Sequence, residues 1–213
     1  MKLVLASNNA RKLAELQSLF KVLPIELVSQ ASLGIAEVEE PHHTFVENAL
    51  TKARHAAQAS GLPAIADDSG LCVAVLGGVP GVQSAVYAGR LAGAADREVQ
   101  RRAQDAANNA LLLMRMQGQS DRRARFVSTL VALRHADDPE PLIALGRWEA
   151  TLLTALRGAG GFGYDPLVWI ESLGASVAEL SAEQKNRVSH RALAAAQMRT
   201  LMREAWRMGD DTG

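Results

Sequence analysis

The chain has 213 residues, 48% of them hydrophobic, which is enough apolar material for one large domain or two closely packed lobes and excludes a disordered chain. Its 23 basic and 23 acidic residues cancel, so there is no global attraction to nucleic acid or to an anionic membrane, and a polyanionic ligand must be met by a local cluster. One cysteine, Cys72, rules out an internal disulfide and a multi-cysteine zinc site, and it reads as a small buried hydrophobe in a protein of a reducing compartment. Leu3 to Ala6 is too short for a signal-peptide core, and no apolar run approaches the ~20 residues of a membrane helix. The expectation is a soluble cytoplasmic protein.

Lys2 to Ala6 reads as a strand, and Ser7, Asn8 and Asn9 then supply turn and N-cap chemistry before Leu13, Leu16, Leu19 and Phe20 recur at helical spacing. Strand, polar turn and helix in that order aim backbone N–H groups, with Lys12 nearby, at whatever sits above the strand end, and phosphate is the usual occupant. A capped surface helix with solvated Arg11 and Lys12 gives the same pattern. Glu37, Glu39 and Glu40 precede Pro41 in a loop; acids before a helix commonly serve its dipole, so a metal role needs a partner. Thr44 and Glu47 match a capping box, predicting a helix over Phe45 to Ser60 with Phe45, Ala49, Ala53 and Ala56 as its buried stripe. Asn48 and Lys52, four apart, form a polar ridge that is either solvated or lines a cleft.

The run from Ala64 to Tyr87 is the most informative. Ala64 to Ala66 and Leu71 to Leu76 read as buried strands, with Asp67, Asp68, Ser69 and Gly70 between them. An ordinary turn favours the same residues, but ionised carboxylates beside a core are costly unless paired or metal-bound. Ala94 to Met116 is Ala-rich and helical, with Leu111, Leu112 and Met114 as candidate core. Phe126 to His135 and Leu142 to Trp148, joined by Asp137, Asp138, Pro139 and Glu140, predict an antiparallel hairpin. The loop Arg157 to Pro166 is Gly-dense without the spacing or flanks of a dinucleotide fingerprint, and its Phe162 and Tyr164 offer aromatic surface to a flat ligand.

Ser181 with Gln184 forms a second capping box, Lys185 follows it, and Ser189, His190 and Arg191 open a helix through about Trp206, tracked by Leu193, Gln197, Leu201 and Glu204. His42, His43, His55 and His135 lack an HExxH arrangement and read as surface or satisfied positions. No GxSxG nucleophile elbow is present.

Ser7-Asn8-Asn9 with Lys12, Thr44 to Ala49 with Lys52, Ala66 to Leu71, Gly77-Gly78-Val79-Pro80-Gly81, Gly161 to Pro166, and Lys185 with Ser189-His190-Arg191 stand in order along the chain. Together they resemble the inosine-triphosphate pyrophosphatase family, enzymes that hydrolyse deaminated purine nucleoside triphosphates, from Leu3 to about Leu201. The resemblance implies an α/β fold, elongated and two-lobed, with a long central mixed β-sheet flanked by helices and a nucleotide cleft between the lobes. Residues 1–213 would form that single two-lobed domain, as a homodimer using Mg²⁺. It also implies roles. Ser7, Asn8, Asn9, Ala10, Arg11 and Lys12 would form the first phosphate loop, with Asn48, Lys52 and Lys185 as further triphosphate contacts. Asp68 would be general base and metal ligand, with Asp67 beside it and Ser69 touching substrate. Glu39 or Glu40 would share the metal, Glu39 being favoured. Phe162 would stack on the purine, with Gly163 and Tyr164 in the same substrate loop. Asp165 would meet the base edge, and His190 with Arg191 would read the 6-oxo group. One departure is Asn8, where the family commonly has Gly.

The chemistry is consistent with those residues. Cleaving the bond between α and β phosphates needs charge neutralisation and an oriented water. Lysines and a helix N-terminus suit the leaving pyrophosphate, and two acids plus phosphate oxygens suit Mg²⁺, which keeps several waters. Hypoxanthine and xanthine carry an acceptor at position 6 where adenine carries a donor, so Arg191 and His190 would favour ITP, dITP and XTP over ATP. Two rivals share the phosphate loop and acids: a pyrophosphatase for pyrimidine or modified nucleotides, and a non-catalytic nucleotide-binding protein.

Overall fold

Alternation along the first strand sets the layers of the fold. In β1 (Lys2–Leu5), Leu3 and Leu5 join one apolar cluster while Val4, with Ala6 just beyond the strand, joins another, because successive side chains leave opposite faces of a sheet. The structure, a computed structural model, describes residues 1–93 and 96–208. Its sheet has seven strands in the order β2-β1-β3-β4-β5-β6-β7, where β2 is Glu26–Ser29, β3 Ala64–Val73, β4 Arg123–Leu133, β5 Leu142–Leu152, β6 Val168–Ile170 and β7 Ala175–Ser176. β1 runs parallel to β2 and β3, whereas β6 is antiparallel to β5 and β7, so the sheet is mixed. No helix among the described residues is long and apolar enough to cross a membrane.

The chain divides into two compact units, both discontinuous in sequence: residues 1–68, 128–147 and 188–213 form the first, and residues 69–127 and 148–187 the second. In the first unit, Leu3, Leu5 and Ile65 of the sheet pack with Leu16, Leu19 and Phe20 of α1 (Ala10–Phe20) and with Ala195, Met198 and Met202 of α5 (His190–Trp206). On the other face, Val4, Ala64, Ala66 and Val131 meet Ala49, Ala53 and Ala56 of α2 (Phe45–Ser60), small side chains that let the helix lie close. The second unit holds α3 (Arg97–Arg115) and α4 (Ala182–Val188). There, Arg122 donates to the carbonyls of Leu152 and Leu153 at the end of β5 and of Met116 at the end of α3, satisfying backbone acceptors where these elements stop.

One capping box forms as read and the other by half, the Glu47 side chain accepting from the Thr44 hydroxyl rather than from Thr44 N. Thr44 Oγ1 accepts from Glu47 N, and Ser181 and Gln184 exchange backbone-to-side-chain bonds of 2.8 and 3.1 Å. Four expectations change. Asp67 to Gly70 are not a turn but the middle of the continuous strand β3, since the acids find partners and the chain stays extended; β3 ends at Val73, and Ala74–Leu76 is a single 3₁₀ turn. The strand expected over Phe126 to His135 is shifted to Arg123–Leu133, and the one expected over Leu142 to Trp148 runs on to Leu152. In α3, Leu112 and Met116 are buried but Met114 is exposed, because residues four apart share a helix face and Met114 lies on the opposite one; Ala94 and Ala95 lie outside the described residues. In α5 the buried face is Ala192, Ala195, Met198 and Met202, while Leu193 is exposed and Gln197 accepts from Leu145 N. The small face permits close seating on β5. A Cβ on Gly146 would fall 1.8 Å from the His190 carbonyl oxygen, so glycine is required for the start of α5 to rest there.

The connection after β4 is pinned by Asp138, whose fully buried carboxylate accepts from Arg134 N, Nε and NH2 and from Glu140 N at 2.9–3.0 Å. The Arg134 side-chain bonds, with the Arg134 and Glu140 backbone bonds, hold this carboxyl well below its ordinary value despite burial. A group depressed on folding stabilises above its unfolded pKa and loses that contribution as pH falls through its folded value. Asp138→Asn is therefore expected to lower unfolding stability at pH 7 by about 1–3 kcal/mol, with the deficit shrinking below about pH 4. Urea titrations of both proteins across pH 3 to 7 check this; a pH-independent deficit would contradict it.

Candidate active site

In the first unit, β1 delivers the chain to Ser7, whose Oγ accepts from Asn9 N at 3.1 Å, and Asn9 caps α1, its Oδ1 accepting from Arg11 N and Lys12 N. The polar turn expected from the sequence is present. Lys12, on the first turn, reaches inward, its Nζ lying 3.0 Å from Asp67 Oδ2. Asp67 also accepts from Ser128 Oγ at 2.6 Å and, through Oδ2, from Arg191 Nε and NH2 at 3.2 and 3.1 Å. Arg191 NH1 in turn contacts Glu15 of α1. Burial alone would push the Asp67 carboxyl up, but Arg191, Lys12 and the Ser128 hydroxyl hold it well below the usual carboxylate range. Asp67 is a fixed anion.

Its neighbour behaves oppositely. Asp68 Oδ1 accepts from Lys52 Nζ at 2.9 Å, while Oδ2 is buried without a hydrogen-bond partner. Burial raises its pKa to about 6 against the pull of Lys52 and Lys12, with the charge of Glu40 adding to the rise. Lys52 Nζ lies 2.7 Å from Glu40 Oε2 and 3.1 Å from the Asp67 carbonyl, so one ammonium spans two carboxylates. Burial disfavours ionised Glu40, yet Lys52, assisted by Lys12, keeps its carboxyl below the ordinary value. Adjacent acids on one strand are thus driven apart, one locked ionised and one poised to exchange a proton near neutrality.

Both upstream acids are exposed, and of the two it is Glu40 whose carboxylate reaches Lys52. Asn48 is buried with both amide ends on His42, accepting from its N at 3.0 Å and donating to its O at 3.2 Å, so it anchors the loop that carries Glu40. His42 Nε2 lies 3.1 Å from Thr51 Oγ1 and His55 Nε2 lies 3.0 Å from the Ala36 carbonyl, the satisfied surroundings expected of these histidines. Ser189 caps α5 and places His190 and Arg191 on its first turn, both buried. Among the described residues, no group of three or more His, Cys, Asp and Glu converges as a metal cage.

In the second unit, Ser69 continues β3, and the Gly-rich loop is organised by Asp165. Its Oδ2 accepts from Phe162 N at 2.9 Å and from Lys185 Nζ at 2.8 Å, and that ammonium lies 4.4 Å from the centroid of the Phe162 ring. Gly161 is obligatory, since a Cβ there would stand 2.2 Å from Asp165 Oδ2. Tyr164 is buried, donating to the Ser84 carbonyl at 3.0 Å, while Phe162 stays partly exposed. Gly163 is held from α3: Asp105 Oδ2 accepts from its N and Asn109 Nδ2 donates to its O.

Four residues escaped the sequence reading: Glu15, Ser128, Asp105 and Asn109. Ser128 left a signal, a hydroxyl inside the apolar run of β4 that must find a partner when buried. Asp105 and Asn109 left a weaker one, four-residue spacing of poor helix formers in an Ala-rich helix. Glu15 left none; an acid on a surface-type helix is unremarkable until Arg191 is brought to it.

The chain matches the Ham1 family over residues 3–201. It is 71% identical over 206 residues to the dITP/XTP pyrophosphatase of Methylibium petroleiphilum, covering 97% of this chain and 99% of the relative. It is 68% identical over 212 residues to that of Leptothrix cholodnii, covering 98% and 100%. Among solved structures, a HAM1 protein from Coxiella burnetii superimposes with a TM-score of 0.85 at 41% identity, over 96% of this chain and 99% of that one. The Asn9 cap, the paired acids and the Gly-aromatic loop all lie within the matched span, and the chain belongs to the Ham1 family.

Proposed function

We propose that this chain hydrolyses the noncanonical purine nucleoside triphosphates dITP, ITP and XTP to the nucleoside monophosphate and pyrophosphate, clearing them from the nucleotide pool. The observation that carries the reading is the Asp67–Asp68 pair on β3, one acid locked ionised and the other near pKa 6 beside Glu40 and two lysines. The name dITP/XTP pyrophosphatase borne by the relatives supports the substrate class.

Glu40 and Asp68 fit a hard divalent cation, Mg²⁺ in this reading: both offer carboxylate oxygens, Asp68 Oδ2 is buried without a partner, and a cationic ammonium already spans the pair. Bound there, the cation would supply charge neutralisation on the phosphates and a more acidic water. Asp68 would accept the proton of the attacking water through the carboxylate oxygen that no protein group satisfies. Lys12, Lys52 and Lys185, with the Ser7 to Arg11 turn and the start of α1, would hold phosphate oxygens. Asn48 would act through the loop it anchors. Phe162 would stack on the purine. Because Asp67 and Glu15 already hold the Arg191 guanidinium, we assign the 6-oxo group to His190 and give Arg191 the task of keeping Asp67 charged. Family resemblance adds a homodimer and a cytoplasmic location to this reading, and sedimentation velocity tests the first.

The test is a substrate panel with products identified. With Mg²⁺, dITP is expected to yield dIMP and pyrophosphate, with dITP, ITP and XTP turned over far faster than ATP, GTP, dTTP or UTP, and chelation should abolish turnover. Equal rates across the panel would refute the purine selectivity, preference for dTTP or UTP would establish the pyrimidine rival, and binding without pyrophosphate release would establish the non-catalytic one.

A further inference from the structure

Helix α3 carries four polar side chains turned toward backbone rather than solvent, and they hold two loops. Gln104 Nε2 donates to the Gly89 carbonyl and its Oε1 accepts from Leu91 N; Asn108 accepts from Ala88 N and donates to the Ser84 and Ala85 carbonyls. One turn along the adjacent face, Asp105 and Asn109 take both backbone groups of one residue, Gly163, at 2.9 and 2.8 Å. The loops are also tied to each other, since the Ser84 carbonyl receives the Tyr164 hydroxyl as well as Asn108.

Gly163 is where such a grip matters. Phe162 lies between Gly161 and Gly163, both at positive φ, and while Asp165 holds the N–H and carbonyl of Phe162 itself, no atom lies near where a Gly163 Cβ would be, so Gly163 has no side-chain packing to fix it and depends on its two backbone bonds. A loop of this kind loses conformational entropy when a ligand orders it, unless the protein has ordered it beforehand. Asn109 also bears a cost that a packing residue would not: its Oδ1 is buried without a partner while its Nδ2 serves Gly163.

We propose that Asp105 and Asn109 are positioning residues for base recognition, holding the Gly163 peptide so that the Phe162 ring is already set to stack on the purine. This rests on the function proposed above. Neither residue touches the phosphates or the acids of the first unit in this reading, so loss of the grip weakens capture of the base and leaves the chemical step alone.

Asp105→Ala, and the near-isosteric Asn109→Asp, which loses the amide donor, are to be compared with wild type in dITP hydrolysis and in product inhibition by inorganic pyrophosphate. Expected is a rise of about tenfold in KM for dITP with kcat within about threefold, and an unchanged pyrophosphate inhibition constant. Asp105→Asn keeps an acceptor oxygen for Gly163 N and should restore KM to within about threefold of wild type. An unchanged KM in folded Asn109→Asp, a parallel weakening of pyrophosphate inhibition, or failure of Asp105→Asn to restore KM would overturn the proposal. Absence of dITP turnover by the wild-type protein would instead overturn the function it rests on.

Discussion

Asp68→Asn is expected to reduce dITP turnover at least a hundredfold, about 2.7 kcal/mol of transition-state stabilisation, while leaving the fold intact. The amide preserves shape and still accepts from Lys52 through its oxygen, so the ammonium bridge that spans Asp68 and Glu40 keeps one anchor. What it removes is the negative charge at a buried, unpartnered oxygen and the ability to take a proton there. Because the ionised state of Asp68 is disfavoured by burial, with pKa near 6, neutralising it costs the folded protein little. A drop in kcat with an unchanged melting temperature is the expected pair of results. Near-wild-type turnover would remove Asp68 from the mechanism.

Asp67→Ala is expected to act in the opposite way, through stability. The carboxylate is fully buried and balances Arg191, which is itself 2% exposed, together with Lys12 and the Ser128 hydroxyl. Removing one partner from a buried ion pair leaves an uncompensated charge, at a cost of about 3–5 kcal/mol. That is a large share of the roughly 5–15 kcal/mol that holds most domains folded. Denaturant titration should show the loss, and Asp67→Ala combined with Arg191→Met should recover part of it, since an apolar side chain needs no counter-charge. A double variant no more stable than the single one would contradict the account.

These two results would separate neighbouring residues that look alike in sequence. As letters, Asp67 and Asp68 are equivalent; on a strand, consecutive side chains leave opposite faces, so Asp67 meets Lys12 of α1 and Arg191 of α5 while Asp68 meets Lys52 of α2. Which acid is locked therefore depends on what lies on each face, and that is set by α1 and α5, far from β3 in the chain. The same logic separates Glu39 from Glu40. Sequence spacing left them one residue apart, and only the path of the loop, held by Asn48 through the His42 backbone, brings Glu40 to Lys52.

Much of the local architecture was legible in the residues. The helix starts at Asn9, Thr44, Ser181 and Ser189 are chemical events within four residues of chain, a side-chain oxygen meeting an N–H two or three positions on, and they need no tertiary context. The six ordered motifs, being short and contiguous, likewise placed the chain in its family. Tertiary structure decided the rest: the bond between Arg191 and Asp67 spans 124 residues, that of Asn109 to Gly163 spans 54, and the ordinary-looking Glu15 becomes a partner of Arg191 across 176. Buried charges and backbone groups must be satisfied by whatever neighbour the fold provides, and strand order together with helix packing chooses that neighbour, whereas capping and periodicity are settled by the nearest few residues.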